Sequence, residues 1–107
     1  MIAPDLLAWL SRWYGAACDS DWEHQSGIRI DTLDNPGWSV TISLAGTALE
    51  HRPFATVSAG EVGGDGSPGL RWHHCQVAEQ EFRAACGVFD LGTVLGLFRV
   101  WAEASHD

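Results

Sequence analysis

Apolar residues recur along this chain with two different periods, and the switches between them divide it into elements. Leu6, Trp9, Leu10, Trp13 and Ala17 stand three or four residues apart while Ser11 and Arg12 fall on the other side, which predicts an amphipathic helix over residues 4–17 with both tryptophans on its core face. Pro4 suits the first turn, Asp5 lies where the helix dipole favours negative charge, and Gly15 followed by Asp19-Ser20-Asp21 ends the helix. From Ile28 the period falls to two. Ile28 and Ile30 oppose Arg29 and Asp31; Trp38, Val40, Ile42 and Leu44 oppose Ser39, Thr41 and Ser43. That is a β-hairpin with one wet face. Its centre, Asp34-Asn35-Pro36-Gly37, reads as a type II turn, with proline presetting φ and glycine accepting the positive φ that follows. Leu33 is out of phase with the isoleucines, which suggests a bulge beside the turn.

The second half is less uniform. Ala48 to Val57 shows no clean period, and Pro53 limits it to an edge strand around Phe54–Ser58. Gly60 to Gly69 reads as a loop; its glycines are followed by neither Gly-Lys-Ser/Thr nor a helix start, so a phosphate cradle is not indicated. Alternation resumes over 71–77, with Trp72, His74 and Gln76 opposite His73, Cys75 and Val77, and again over 81–86, where Phe82, Ala84 and Cys86 form the apolar side. Asp90 is the expected N-cap of a last helix reaching Ala104, with Leu91, Val94, Leu95, Phe98, Trp101 and Ala102 on one face. The expected fold is α+β, one domain over residues 1–107: an N-terminal helix, an antiparallel β-meander of four to five strands and a C-terminal helix, both helices on one sheet face.

Charge narrows the range of partners. Fourteen acidic residues face six arginines and no lysine, for a formal net charge of −8. A nucleic-acid backbone calls for clustered cations, so no nucleic-acid partner is expected, whereas a basic partner would be steered by such a surface. Three cysteines without a C-x-x-C pair indicate neither a disulfide framework nor a zinc knuckle. The start, Met-Ile-Ala-Pro-Asp, lacks the basic-then-apolar form of a signal peptide, and no apolar run suffices to span a bilayer, so the cytoplasm is the expected location.

Candidate chemistry is sparse. Asp19, Asp21, Glu23 and His24 crowd four potential ligands into six residues, but their spacing matches neither a calcium loop nor a His-x-x-x-His helix, so no metal or cofactor is expected. His74 and Cys75 are adjacent in a strand and point to opposite faces, which separates them as a thiol–imidazole pair. No catalytic residue is assigned. The rival reading is a small metal-dependent or thiol enzyme using Glu23, His24 and Asp31 with His73 or His74; an adaptor with an unrelated partner is a third.

Asp21-Trp22-Glu23-His24, Gly27-Ile28 and Asp31-Thr32-Leu33-Asp34-Asn35-Pro36-Gly37-Trp38 together resemble the immunity protein 53 family of bacterial polymorphic-toxin systems. Fainter similarity runs through Trp13-Tyr14, Pro53-Phe54, Trp72-His73-His74-Cys75 and the closing helix to Trp101. The resemblance implies an α+β protein that binds and blocks a toxin encoded beside it, in the cytoplasm of the producing cell. Against a basic toxin, such as a nuclease, carboxylates would mimic the polyanionic substrate. Asp19, Asp21, Glu23, Asp31 and Asp34 are expected to supply that surface, with Trp22 or His24 as an anchor. Glu23 and Asp31, as wet-face carboxylates, have least to do for packing, whereas Trp22, Trp38, Asn35 and Gly37 also suit the core and the turn.

Overall fold

The structure, a computed structural model, describes residues 5–19, 22–25, 27–34, 36–62 and 68–104; Pro4 at the helix start, Asp21 as a partner contact, Asn35 in the turn and the glycines at 63, 64 and 66 lie outside them. The described elements are α1 (Leu6–Ala17), α2 (Trp22–Gln25), β1 (Ile28–Leu33), β2 (Gly37–Ser43), β3 (Val57–Val62), β4 (Pro68–Ala78), β5 (Glu81–Cys86) and α3 (Leu91–Glu103). All five strands are antiparallel to their neighbours. Their order, β1-β2-β5-β4-β3, corrects the expected meander in one link: the chain leaves β2 for the far edge of the sheet, and β5 returns to lie beside β2. The reason is apolar matching. Val40 and Ile42 stand opposite Ala84 and Phe82, so the two most apolar faces meet in the middle of the sheet.

Both helices cover that face. Leu6 and Leu10 of α1 and Val94, Leu95 and Phe98 of α3 share one buried cluster with Val40, Ile42, Leu44, Cys75, Phe82, Ala84 and Cys86. Phe98 is the hub, meeting the rings of Trp9, Trp13, Phe82 and Trp101 at centroid distances of 5.0 to 6.1 Å. The segment joining β2 to β3 seals one end: Leu49 is buried, and Phe54 packs edge-on against Phe82 and Trp101. Phe54 therefore serves the core, and the edge strand begins three residues later than the sequence suggested, at Val57. The loop expected over 60–69 is shorter too, since β3 runs to Val62 and β4 starts at Pro68, where a missing N–H is tolerated.

Three local expectations change. The bulge lies in β3, between Gly60 and Val62, while β1 pairs with β2 in unbroken register from Ile28↔Ile42 to Leu33↔Gly37. Gly37 is the first residue of β2, with φ +159° rather than the roughly +80° of a type II turn. It is needed for close approach, because a Cβ there would fall on the Cys86 carbonyl. Asp90 does occupy the N-cap position of α3, and its backbone carbonyl accepts from Val94, but its side chain makes no cap bond. The buried carboxylate instead binds Arg71 Nη1 at 2.7 Å, tying α3 to β4.

The β4–β5 turn carries strain. Ala78 pairs with Glu81, leaving Glu79 and Gln80 as a two-residue turn with φ of +54° and +62°. Positive φ at both positions is the type I′ arrangement, which favours Asn-Gly. The surface contacts of these side chains, Glu79 to Arg83 and Gln80 to Glu50, offset little of the cost. Glu79→Asn/Gln80→Gly is therefore expected to stabilise the protein by about 1 kcal/mol, raising Tm by roughly 4 °C or more. A melting curve checks this; an unchanged or lower Tm would mean that the turn is not strained.

Candidate functional site

Of the seven residues expected to meet a partner, the six described ones are spread over the α2 end and the β1–β2 hairpin. Asp19 is exposed and caps α2: its Oδ1 accepts from the Trp22 N–H at 2.9 Å, while Glu23 Oε1 accepts from the Asp19 N–H at 2.9 Å. This reciprocal arrangement is the logic of a capping box, satisfying donors that a short helix leaves open. Glu23 is half-buried, so the expectation that it has little structural work is corrected. Trp22 is only 5% exposed and packs against Trp13 and Tyr14, at 5.9 and 5.6 Å between centroids. Its indole belongs to the interior. His24, next along α2, is exposed.

Asp31 and Asp34 lie elsewhere. Asp31 sits on the outer sheet face of β1, opposite Ser39, and Asp34 follows the end of that strand; both are exposed. From Ile28, next to α2, to Asp34 the chain runs about 20 Å at strand rise. Asp31 thus lies about 10 Å along the strand from Ile28 and Asp34 about 20 Å, on a different element from Glu23 and His24 of α2. Elsewhere among the described residues, Asp5 and Glu103 pair with Arg99, Glu79 and Glu81 with Arg83, and Asp90 with Arg71.

At the α2 end there is a cleft of about 430 Å³, lined by Trp13, Ala16 and Ala17 of α1, by Asp19, by the 46–49 turn, by Arg52 and by Ala102 of α3. The C-terminal ends of α1 and α3 both reach it, and neither has a basic residue in its last turn. Helix C-termini carry partial negative charge and unsatisfied carbonyls. Arg52 answers this for α3, donating from Nη1 to the carbonyls of Trp101 and Ala102 at 2.9 and 3.1 Å, and Trp101 Nε1 donates to the Pro53 carbonyl at 2.9 Å. No corresponding cation serves α1 among the described residues. The small side chains Ala16, Ala17, Gly46 and Ala48 keep the cleft open. Arg52 and this cleft were missed in the sequence, because the arginine's bonds span 49 and 50 residues and leave no local pattern.

The enzyme set is not assembled. Asp31 and His74 share the outer sheet face but are separated by β2 and β5, His73 is on the helix side, and His24 is on α2. No group of three or more His, Cys, Asp or Glu side chains among the described residues is placed to hold a metal ion. Burial pushes the thiols of Cys75 and Cys86 up to about 11, with further contributions from Cys86 on Cys75 and from Asp90 on Cys86. Both are therefore protonated, unreactive thiols near neutral pH. A thiol reagent should label only Cys18 quickly in the folded protein and all three cysteines after unfolding. Because the folded state holds these protons from the ordinary thiol value of 9.0 up to about 11, unfolded thiols ionise first as pH rises, and stability should fall across that interval. Urea midpoints that stay flat there would show that the two thiols titrate alike in both states.

Neither the curated proteins nor the solved structures contain a significant match to the chain. No helix among the described residues is long and apolar enough to cross a membrane. The family model described as Immunity protein 53 matches residues 7–103, from the first turn of α1 to the last residue of α3. With nearly the whole chain matched and the α+β architecture in place, the protein belongs to the immunity protein 53 family.

Proposed function

We propose that this protein binds a cognate toxin in the cytoplasm of the cell that makes it and neutralises it without catalysis, by docking on a basic surface of the toxin. Family membership over residues 7–103 is the observation that carries this reading. The net charge of −8 supports a basic partner, such as a nuclease whose cleft normally holds a polyanion. Within the acidic set, the α2 end offers the more developed receptor. An arginine or lysine from the toxin would lay its stem along Ala16 and Ala17 and bring its charge to Asp19 and the carbonyl end of α1, beside the exposed His24. Glu23 supports this site by holding Asp19, and Asp21 adjoins it in sequence. Asp31 and Asp34 form a second, separate acidic position.

The test is co-expression with the product of the adjacent toxin gene, scoring growth rescue, and titration of the purified pair. Asp19→Asn keeps an acceptor for the α2 cap while removing the charge. Asp19→Asn/His24→Ala is expected to weaken toxin binding about tenfold or more, which corresponds to ~1.4 kcal/mol, and to reduce rescue. Asp31→Asn/Asp34→Asn should leave toxin affinity within about threefold, less than ~0.7 kcal/mol. The reverse pattern would move the toxin to the hairpin, and no rescue by the wild-type chain would overturn toxin neutralisation itself.

A further inference from the structure

The two edges of the sheet are not alike. β3 is interrupted by its bulge at Gly60–Val62, a common guard against pairing with another chain. β1 has no such guard: its register is regular, and it contains no proline, glycine or lysine. Residues 29–32 are all exposed, including Ile30, which is 39% exposed although it lies on the helix-facing side, paired with the buried Val40. An isoleucine on the core side of the sheet is thus left uncovered at the edge.

The hydrogen-bond phase of this edge follows from the ladder. The Ser43 N–H donates to the Gly27 carbonyl at 3.0 Å, which makes Gly27 and Ser43 a hydrogen-bonded pair. Antiparallel pairing alternates, so Arg29, Asp31 and Leu33 also bond to β2, and the backbone groups of Ile28, Ile30 and Thr32 point outward. On the outer sheet face, Arg29 and Asp31 flank Ile30 with opposite charges, and neither has an ion-pair partner among the described residues.

We infer that β1 is a homodimer interface, in which two copies pair their β1 strands antiparallel about a two-fold axis at Ile30. This register sets Ile30 against Ile30 of the second copy, Ile28 against its Thr32, and Arg29 against its Asp31. All the outward backbone groups of Ile28, Ile30 and Thr32 then find partners, the two exposed isoleucines cover each other, and two Arg–Asp pairs form directly across the junction. The charges also select the register. Centring the axis on residue 29 would oppose two arginines, and centring it on residue 31 would oppose two aspartates. The sequence Arg-Ile-Asp is self-complementary in this one arrangement, which is the reason for choosing a second copy over a foreign strand. Asp31 accordingly faces another immunity protein rather than the toxin, and the α2 cleft lies on different elements.

Sedimentation of the full chain over a range of concentrations tests it, with a dimer of twice 11.6 kDa expected at the upper end. Arg29→Asp places acid against acid and should give a monomer of unchanged circular dichroism. Arg29→Asp/Asp31→Arg restores opposite charges in the same register and should restore the dimer. Ile30→Pro removes an outward N–H that β2 does not use and should also give a folded monomer. A wild-type chain that stays monomeric throughout, a dimer indifferent to Ile30→Pro, or a charge swap that fails to rescue would each overturn the proposal. So would a monomer whose Ile28, Ile30 and Thr32 amides become protected from hydrogen exchange only on toxin binding; that result would give the edge to the toxin.

Discussion

Phe98→Ala is expected to cost about 3–5 kcal/mol, the range for removing a large ring from a packed core, out of a total stability of ~5–15 kcal/mol. Phe98 is fully buried, and its ring is met by Trp9 and Trp13 of α1, Phe82 of β5 and Trp101 of its own helix. Removing it leaves a cavity where both helices and the sheet meet. α3 is the element most affected, because Gly92 and Gly96 give it weak intrinsic helicity, about 1 kcal/mol worse than alanine at each position. Its helical state depends on docking. Urea unfolding measures the loss, and Phe98→Leu, which keeps most of the volume, should retain the fold with a smaller penalty. A midpoint for Phe98→Ala within about 1 kcal/mol of the wild type would show that the rings do not form the joint described here.

Gly37→Ala should cost about 2–4 kcal/mol, above the usual range for one added methyl in a packed site. The new Cβ would overlap the Cys86 carbonyl oxygen and press within 3.4 Å of Leu33 Cδ1, and the first of these obstacles is backbone rather than a side chain that can rotate away. Relief requires β2 and β5 to separate beside the Trp38↔Cys86 pair, where Trp38 Nε1 also donates to the Val88 carbonyl at 3.0 Å. Tryptophan fluorescence and the unfolding midpoint should report the change together. An alanine variant as stable as the wild type would return Gly37 to the turn role suggested by its neighbours Asn35 and Pro36.

These two sites differ in how far they were legible. Phe98 falls on the apolar face of a 3.6-residue period, so its burial followed from its spacing to Leu91, Val94, Leu95 and Trp101. Gly37 pointed to a turn, because Asn-Pro-Gly is turn chemistry at short range. Its actual constraint comes from Cys86, 49 positions away, which no local pattern records. Asp90 shows the same limit: its place at the start of α3 was readable, but its partner Arg71 was not.

The candidate site was less legible than the fold. Carboxylates clustered in sequence suggested one acidic surface, but Asp19 and Glu23 are engaged in the α2 cap, whereas Asp31 lies on β1 and Asp34 follows it. Trp22 passed from possible anchor to buried ring by packing on α1, and Glu23 from free carboxylate to capping partner. The cleft between the two helix C-termini needed both helices docked before it existed.

By itself, then, the sequence determined α1, the β1–β2 hairpin, β5, α3, the α+β class and the family, because periods of two and 3.6 and a specific run of residues are properties of neighbouring positions; α2 and the bounds of β3 and β4 were not legible in it. Tertiary structure alone decided the strand order, the close approach at Gly37, the Arg71–Asp90 tie, the elevated thiols of Cys75 and Cys86, and the division of the acidic residues. Each of these depends on which faces meet across tens of residues, and that is settled by apolar matching in three dimensions.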